Sequence, residues 1–339
     1  MPGKKILPIL TLSEMTDGQE ADAFVMLAAK EELVTKTGKP YYRVTFRDAG
    51  KSLTFPIWND SLCAEDCRGW SVGQFFKVRS VYRESTYGPQ LEIHKVREAC
   101  DADRADGFDE WMCRPRSQFE PEEMFAALLA IASDQIADGP LSELVTAILT
   151  EHRERLLTMP AAVRNHHAFA GGYLEHVLSV TRNALMLADK YRTDYPDLQP
   201  ALSRDLVAAG AILHDIGKLQ ELEQTPAGAR YSPAGELIGH ILLGRDMVRE
   251  AAVGRGLDQE LQLRLEHMIV SHQRLPEWGS PKPPMTPEAL IVHFADDLDA
   301  SFQMMYAALA EDGTANPMTP TNKALRSKVF KGLGSAAEQ

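Results

Sequence analysis

The chain has 339 residues, which at about 150 residues per domain suggests two domains. Its 44% hydrophobic and 25% charged residues are typical of a globular protein and exclude a fibrous or wholly disordered chain. The net charge of −12 argues against a protein that coats duplex DNA with a broad basic face.

The sequence carries no signal for a membrane or for secretion. No apolar stretch reaches the roughly 18 residues that a membrane span needs, so no membrane partner is expected. The apolar run near the N-terminus is short and is broken by Pro8, which argues against a signal-peptide core. Four cysteines in a chain of this size do not form a disulfide framework. These features together predict a cytoplasmic protein.

Short runs rich in β-branched and aromatic residues follow one another from about residue 22 to residue 99. They predict five strands, separated by turns such as residues 37–40 and 48–51. A longer segment between the third and fourth strands has room for a helical turn. This pattern predicts an all-β OB-fold barrel over residues 1–100 in preference to an immunoglobulin-like sandwich.

The barrel region interleaves aromatic and cationic residues. Barrels that bind single strands stack bases on aromatic rings and meet the phosphate backbone with cations. Residues 1–100 hold 14 Lys+Arg against 13 Asp+Glu, a balance compatible with a polyanionic partner. The candidate substrate-binding residues here are Tyr42, Arg43, Trp58, Arg79 and Tyr82. The alternative is that many of these aromatic residues belong to the barrel core.

The remainder of the chain has a different pattern. Residues 101–120 carry many charges without a sustained period and are predicted to form a linker. Pro121, followed by two glutamates, opens a helical pattern that continues with short connections toward the C-terminus. Residues 121–339 are therefore predicted to form an all-α domain, interrupted by a Pro-rich loop at 278–288.

Three polar features stand in apolar helical segments of this domain. His214 and Asp215 end an apolar helix, His176 lies beside an apolar stripe, and Asp296 and Asp297 follow the run ALIVHFA. A buried carboxylate needs a partner, which a cation would supply. Each feature alone has an ordinary alternative: a solvated helix end, a hydrogen-bonded core histidine or an exposed acidic turn.

A histidine, a His-Asp doublet and an aspartate in an all-helical domain resemble the HD superfamily of metal-dependent phosphohydrolases. The resemblance extends to YhaM-type 3′→5′ exoribonucleases, in which an OB-fold precedes the HD domain. It is carried by HHAFAGGYLEH (166–176), IGHILLG (238–244), HMIVSHQ (267–273) and GSPKPPMTPEALIVHFADDLDA (279–300). It covers about residues 15–310. Gln273 departs from it, because a second histidine is expected after His272.

The resemblance implies a set of metal ligands, carried over by position. The primary ligands are His176, His214, Asp215 and Asp296, with Asp297 as the alternative to Asp296. Three surplus histidines, His240, His267 and His272, could complete a second ion site; His240 and His272 are favoured, whereas His267 is assigned either to supporting a ligand or to packing. Mixed imidazole and carboxylate ligands suit Mn²⁺, with Fe²⁺, Co²⁺, Ni²⁺ or Mg²⁺ as alternatives, and one or two ions are expected.

The catalytic candidates are Asp215 and Lys218. Lys218 is placed either to contact a phosphate or to balance the helix dipole. His166 and His167 are further substrate-binding candidates, because Gly171 and Gly172 leave room for a substrate backbone; a plain surface pair is the alternative.

The activity implied by the resemblance is metal-dependent 3′→5′ exonucleolytic hydrolysis of single-stranded RNA to nucleoside 5′-monophosphates, with DNA as an open alternative. Two other functions stay open: an HD phosphohydrolase acting on a mononucleotide or signalling nucleotide, and a non-catalytic single-strand-binding protein. The attached barrel argues against the first, and the intact ligand set argues against the second. A homo-oligomer is compatible with the sequence, which does not determine the oligomeric state.

Overall fold

The computed structural model describes residues 7–35, 37–85, 88–113, 116–163, 166–225, 228–312, 314 and 316–333. The chain divides into two compact units, one ending at Arg116 and the other beginning at Ser117. Each unit has its own hydrophobic core. None of the described helices combines the length and the apolar composition that crossing a membrane requires.

The first unit is a five-stranded antiparallel barrel with one short helix. Its elements are β1 (Glu20–Val34), β2 (Pro40–Arg47), β3 (Ser52–Trp58), α1 (Ala64–Gly69), β4 (Phe75–Ser85) and β5 (Gly88–Glu98). The strands pair in the order β3-β2-β1-β4-β5, and β3 lies against β5. A closed five-stranded sheet with a helix between its third and fourth strands is an OB-fold, which confirms the predicted fold class of this unit.

Aromatic side chains fill the inside of the barrel. Along β2, Val44 and Phe46 are completely buried, whereas Arg43 is exposed, as strand alternation requires. The ring of Trp70, just after α1, lies 5.7 Å from that of Phe46 and 4.9 Å from that of Phe76, measured between centroids. These tilted ring contacts are the geometry that aromatic quadrupoles favour.

The segment predicted as a linker begins with residues that fold onto the barrel unit. It contains two 3₁₀ helices, Asp101–Asp106 and Glu110–Cys113. Arg97 at the end of β5 donates two hydrogen bonds to Asp103, and the ring of Phe108 lies 5.2 Å from that of Phe24. The first compact unit therefore continues beyond residue 100.

The second unit is helical, as predicted for an HD domain. Its helices are α2 (Pro121–Asp134), α3 (Gly139–Glu151), α4 (Arg153–Leu156), α5 (Gly172–Asp194), α6 (Arg204–Leu213), α7 (Lys218–Glu221), α8 (Pro233–Leu237), α9 (His240–Ala252), α10 (Gln259–Ser271) and α11 (Pro287–Glu311). A two-stranded hairpin, β6 (Leu222–Thr225) with β7 (Gly228–Tyr231), lies between α7 and α8. The sequence pattern does not predict this hairpin, because strands of four residues are too short to show a clear alternation of apolar and polar residues.

Helix α6 forms the centre of this unit. It is buried on all sides from Leu206 to Leu213, and α5, α10 and α11 pack against it. Its start is fixed by Ser203, a residue type preferred at the N-cap, whose hydroxyl accepts a hydrogen bond from the backbone N–H of Leu206. A central helix that is apolar on all sides carries the residues at its C-terminal end into the interior of the unit.

Candidate metal centre

The helices of the second unit bring six predicted ligand side chains to one place. His176 lies in the second turn of α5, His214 and Asp215 follow α6, His240 begins α9, His272 follows α10 and Asp296 lies on α11. None of these side chains is more than 15% exposed. Polar groups from three helix ends and from within α5 and α11 therefore meet in an otherwise apolar core.

Asp215 lies at the centre of the cluster, and each of its carboxylate oxygens faces a different pair of histidines. Oδ2 lies 3.5 Å from Nε2 of both His176 and His214. Oδ1 lies 3.4 Å from Nε2 of His240 and 3.6 Å from Nε2 of His272. A carboxylate between two imidazole pairs has the donor arrangement that can bridge two cations.

Backbone carbonyls fix the rings of His214 and His272. Nδ1 of His214 lies 2.7 Å from the carbonyl oxygen three residues earlier in the chain, and so does Nδ1 of His272. A hydrogen bond donated from Nδ1 selects the tautomer whose Nε2 carries no proton. Nε2 of each ring, directed at Asp215, is therefore available as a metal ligand.

Carboxylates fix the rings of the other two histidines. Nδ1 of His176 lies 2.8 Å from Oδ2 of Asp299, and Nδ1 of His240 lies 2.9 Å from Oε1 of Glu221. A carboxylate behind an imidazole orients the ring and increases the basicity of the ligating nitrogen. These roles of Asp299 and Glu221 are not predicted from the sequence. For Asp299, the signal available was its position in the acidic segment DDLD.

Asp296 rather than Asp297 faces the first histidine pair. Oδ1 of Asp296 lies 3.2 Å from Nε2 of His176 and 3.8 Å from Nε2 of His214. Asp297 is exposed, because one position along a helix turns the side chain by about 100°. The structure thus brings Asp296 into the cluster and leaves Asp297 outside it.

Gly217 permits the close approach of α9 that brings His240 into the cluster. A Cβ atom at Gly217 would lie 1.9 Å from the carbonyl oxygen of His240 and 2.4 Å from the backbone nitrogen of Gly244. Both atoms belong to the backbone of α9 and cannot move independently. Any residue with a side chain at position 217 would push α9, and His240 with it, away from Asp215.

The cluster holds buried negative charge. Burial raises the pKa of Asp215, but the Lys218 ammonium, whose Nζ lies 2.5 Å from Oδ2, and the nearby imidazoles outweigh burial and hold that pKa well below its usual value. Burial likewise opposes ionisation of Asp296, yet the His176 imidazole, whose Nε2 lies 3.2 Å from Oδ1, leaves the pKa of Asp296 lowered. Two charged buried carboxylates beside one ammonium favour a further cation.

The imidazoles provide a second test of whether a metal fits. Burial lowers the pKa of His214 to about 4, so this ring is neutral at pH 7. Within the described part of the chain, the buried Nε2 atoms of His176, His214 and His272 and Oδ1 of Asp215 have no hydrogen-bond partner. Buried polar atoms without partners are destabilising, and ligation of a cation would satisfy all four. The residues present therefore fit a divalent metal.

A cleft of about 390 Å³ opens beside the cluster. Its lining includes His166, Lys218, Glu221, His240, Gln273 and Trp278. Its volume is at the lower end of the range of small-molecule sites, roughly 300 to 1,000 Å³. The predicted catalytic residue Lys218 and the Pro-rich loop residue Trp278 thus lie on the same concave surface.

His166 and His167, both predicted to bind substrate, occupy different environments. His166 lines the cleft, and its buried Nε2 has no partner among the described residues. His167 is only 4% exposed, and its Nε2 lies 3.0 Å from Asp299. The space expected at Gly172 is filled, since a Cβ there would lie 2.1 Å from the carbonyl oxygen of His167. His167 therefore supports Asp299 and is not placed to contact substrate.

Gln273 lies near the second histidine pair, whereas His267 contacts the loop before α11. Nε2 of Gln273 is 3.3 Å from Nε2 of His240, so the residue that replaces the expected histidine still faces this pair. Nε2 of His267 accepts a hydrogen bond from the backbone N–H of Met285 at 2.9 Å. His267 therefore holds the loop before α11.

Three of the five barrel residues predicted to bind substrate are engaged with the barrel core or with a buried carboxylate. Tyr82 is 2% exposed, and its hydroxyl accepts a hydrogen bond from Lys51, so it belongs to the core. Tyr42 is half-buried and packs against the same core. Arg79 makes a two-pronged ion pair with Asp22 on the neighbouring strand. Assigning Tyr82 to a stacking surface was wrong, since strand alternation turns it inward.

Trp58 and Arg43 lie on the outside of the barrel. Trp58 is 47% exposed, and its ring lies 4.9 Å from that of Tyr41, its partner in the β2–β3 register. Arg43 is exposed and pairs with Glu31 on β1. The paired rings of Tyr41 and Trp58 are of the kind on which a base can stack.

Comparisons with known proteins agree with the helical fold and with the family resemblance seen in the sequence. The HD domain family matches residues 173–301. The chain is 31% identical over 294 residues to the 3′-5′ exoribonuclease YhaM of Bacillus licheniformis, covering 86% of this chain and 88% of that one. It is 30% and 29% identical to the proteins of the same name from Bacillus pumilus and Bacillus subtilis, with the same coverage.

Among solved structures, a domain of replication protein A from Methanococcus maripaludis covers 26% of this chain and 93% of its own length. It has 14% identity and a TM-score of 0.21, a likeness too weak to bear on function.

Proposed function

This chain belongs to the family of YhaM 3′-5′ exoribonucleases, and on that premise we propose that it shortens single-stranded RNA from the 3′ end by metal-dependent hydrolysis. The products are nucleoside 5′-monophosphates. The observation that carries the proposal is the convergence of four imidazole Nε2 atoms on the two oxygens of Asp215. A phosphodiester is the substrate class for which paired cations about a bridging carboxylate are suited.

Two cation positions are proposed, one on each side of Asp215. The first would be held by His176, His214, Asp215 and Asp296, and the second by Asp215, His240 and His272. Nitrogen and oxygen donors without a thiolate favour Mn²⁺ among the available divalent metals. A bound divalent ion supplies Lewis acidity, which lowers the pKa of water and offsets charge on phosphate oxygens.

The protein side chains around these positions have separate proposed tasks. Asp299 and Glu221 hold His176 and His240 so that Nε2 faces Asp215. Burial lowers the pKa of Lys218, but the nearby Asp215 carboxylate outweighs it, so the ammonium stays charged. Its charge in the cleft wall balances Asp215 and attracts the scissile phosphate.

His166 is proposed to orient the phosphate without exchanging a proton. Burial lowers its pKa to about 3, so the ring is neutral at pH 7 and presents one N–H donor. Its Nε2 is buried without a partner among the described residues, and the residue itself lines the cleft that Lys218 also lines. A neutral donor beside an ammonium can fix the orientation of a phosphate without adding charge.

Trp278 is proposed to stack on the terminal base. It is 49% exposed at the cleft, at the end of the short 3₁₀ helix Pro276–Trp278 that begins the Pro-rich loop. A stiff loop with an aromatic face on one side of the cleft would prevent the RNA strand from extending beyond the cleft. A strand that ends there is cleaved one nucleotide at a time.

Labelled oligonucleotides test this function. Purified protein should convert a 5′-labelled single-stranded RNA into a descending ladder in the presence of Mn²⁺, and EDTA should stop the reaction. A 3′-labelled strand should release its label at once as a mononucleotide. Matched DNA strands determine the sugar preference, and a fully paired duplex should stall the enzyme.

A circular single-stranded RNA is the matched control, because it has the same bonds and no end. The proposal expects the circle to persist while its linear form is degraded. Internal fragments from the circle would show an endonuclease with an open cleft. Activity on free nucleotides with none on linear RNA would favour a mononucleotide phosphohydrolase.

A further inference from the structure

Helix α11 carries a row of exposed apolar side chains along its outer face. Their exposed fractions run from 40% to 70%. They are Leu290, Phe294, Leu298, Phe302, Met305, Tyr306 and Leu309, and we call them the α11 stripe. Steps of three or four residues keep them on one side of the helix.

The α11 stripe is separate from the metal centre. Asp296 and Asp299 point from another side of α11 toward His176. The stripe exposes on the order of 700 Å² of largely apolar surface, comparable to the roughly 800 Å² that each partner buries in a stable complex. Such a patch exceeds what an isolated protein normally leaves in water.

The composition of α11 argues against two kinds of partner. The helix contains neither lysine nor arginine, and residues 300–310 carry no charge at all. Nucleic acids and anionic lipid surfaces both need cations at the contact. Asp296, Asp297 and Asp299 on the same helix would repel either polyanion. An uncharged apolar face fits another uncharged apolar face.

The stripe also has a near-symmetric spacing. Its middle lies between Ser301 and Phe302, with Leu298 and Met305 at equal distances on either side of that point. Phe294 and Leu309 lie symmetrically farther out. A row with this spacing matches its own reversed copy, which is the property that a two-fold interface requires.

We propose that the α11 stripe binds the α11 stripe of a second copy of this chain, with the two helices antiparallel about a two-fold axis. Phe302, the most exposed member at 70%, lies beside the axis, opposite Ser301 and adjacent to its own copy. Leu298 faces Met305, and Phe294 faces Leu309. In this register Asp297 is opposite Tyr306, so the pairing brings no like charges together near the axis.

Sedimentation of the full-length protein tests this interface. The wild type should sediment as a dimer at micromolar concentration. Phe302→Glu should weaken dimerisation by about 100-fold or more, because it buries two carboxylates beside the axis. Leu263→Glu on α10 is the matched control, since Leu263 is a comparably exposed apolar residue, at 66%, on a different helix. That variant should dimerise like the wild type.

Complementary charges test the antiparallel arrangement. Leu298→Lys and Met305→Glu should each be monomeric alone, and mixing them should restore a heterodimer, since position 298 of one copy faces position 305 of the other. Circular dichroism checks that each variant is folded. A wild type that stays monomeric at about 100 µM, or dimerisation unchanged by Phe302→Glu, overturns the interface. Folded variants that stay monomeric after mixing overturn the antiparallel pairing.

Discussion

The helical unit and the barrel present their candidate functional residues in opposite ways. In the helical unit, buried imidazole nitrogens converge on Asp215 without hydrogen-bond partners among the described residues. In the barrel, Arg43 and Arg79 already pair with carboxylates, and Tyr82 lies in the core. A buried polar atom that lacks a partner indicates a ligand, whereas a paired surface charge is explained by its partner. The metal centre of the helical unit is therefore better supported than a nucleic-acid surface on the barrel.

The largest expected effect is at Asp215. Asp215→Ala should lower turnover on single-stranded RNA by about 1,000-fold or more, because both histidine pairs lose the carboxylate between them and several kcal/mol of charge stabilisation with it. Turnover and metal content are measured on the same preparations, with circular dichroism as the check on folding. Near-wild-type turnover at unchanged metal content would show that Asp215 has no role in the reaction.

Asp299 should have the next largest effect. Asp299→Asn leaves every proposed ligand in place but weakens the hydrogen bond that orients His176, so metal affinity should fall by about 10- to 100-fold. Titration of the metal-free protein with Mn²⁺ measures this directly. Asp297→Asn, an exposed acid two positions earlier on α11, is the matched control and should bind metal like the wild type. Equal losses in both variants would mean a general electrostatic effect.

The exposed aromatic pair of the barrel should have a moderate effect on RNA affinity. Replacing Tyr41 and Trp58 together by alanine should raise the Kd for a long single strand by about 10-fold, as for the loss of one stacked base. Hydrolysis of bis-p-nitrophenyl phosphate should persist, because this small diester needs no stacking platform. Tyr195→Ala, an exposed tyrosine of the helical unit, serves as the control. Unchanged RNA affinity in the double variant would show that RNA does not stack on Tyr41 and Trp58.

Arg79 should have the smallest effect on RNA and a clear effect on stability. Its hydrogen bonds lower the pKa of Asp22, so the pair stabilises the fold at neutral pH and loses that contribution as the pH falls below about 3.8. Arg79→Gln should reduce the free energy of unfolding in urea by about 1–3 kcal/mol at pH 7, with wild type and variant converging in acid. Weaker RNA binding at unchanged stability would instead show that Arg79 contacts RNA.

The sequence predicts the parts of this molecule that depend on local pattern. Strand runs, the cap at Ser203 and the order of barrel and helical unit follow from periodicity and turn residues. Alternation along β4 also placed Tyr82 on the same side as Phe76 and Val78, so its burial was available from the sequence. The ligand set follows from the family resemblance, because no local pattern brings His176 to Asp296.

The contacts that orient the cluster could not be predicted in the same way. The bond between His176 and Asp299 joins residues 123 positions apart, and α5 and α11 must pack before it forms. His240 reaches Asp215 because Gly217 lets the backbone of α9 approach closely, a property of two packed elements. Tertiary packing, which one sequence does not display, decides which acids support a ligand and which stay exposed.

The central claim is that Asp215 lies between two cation positions, and metal content tests it most directly. Protein freed of metal, reloaded with Mn²⁺ and dialysed should hold two ions per chain in the wild type. It should hold one in His240→Ala, because that change removes a ligand from one side of Asp215 alone. One ion per chain in both proteins would contradict the claim and leave His240 outside the metal centre.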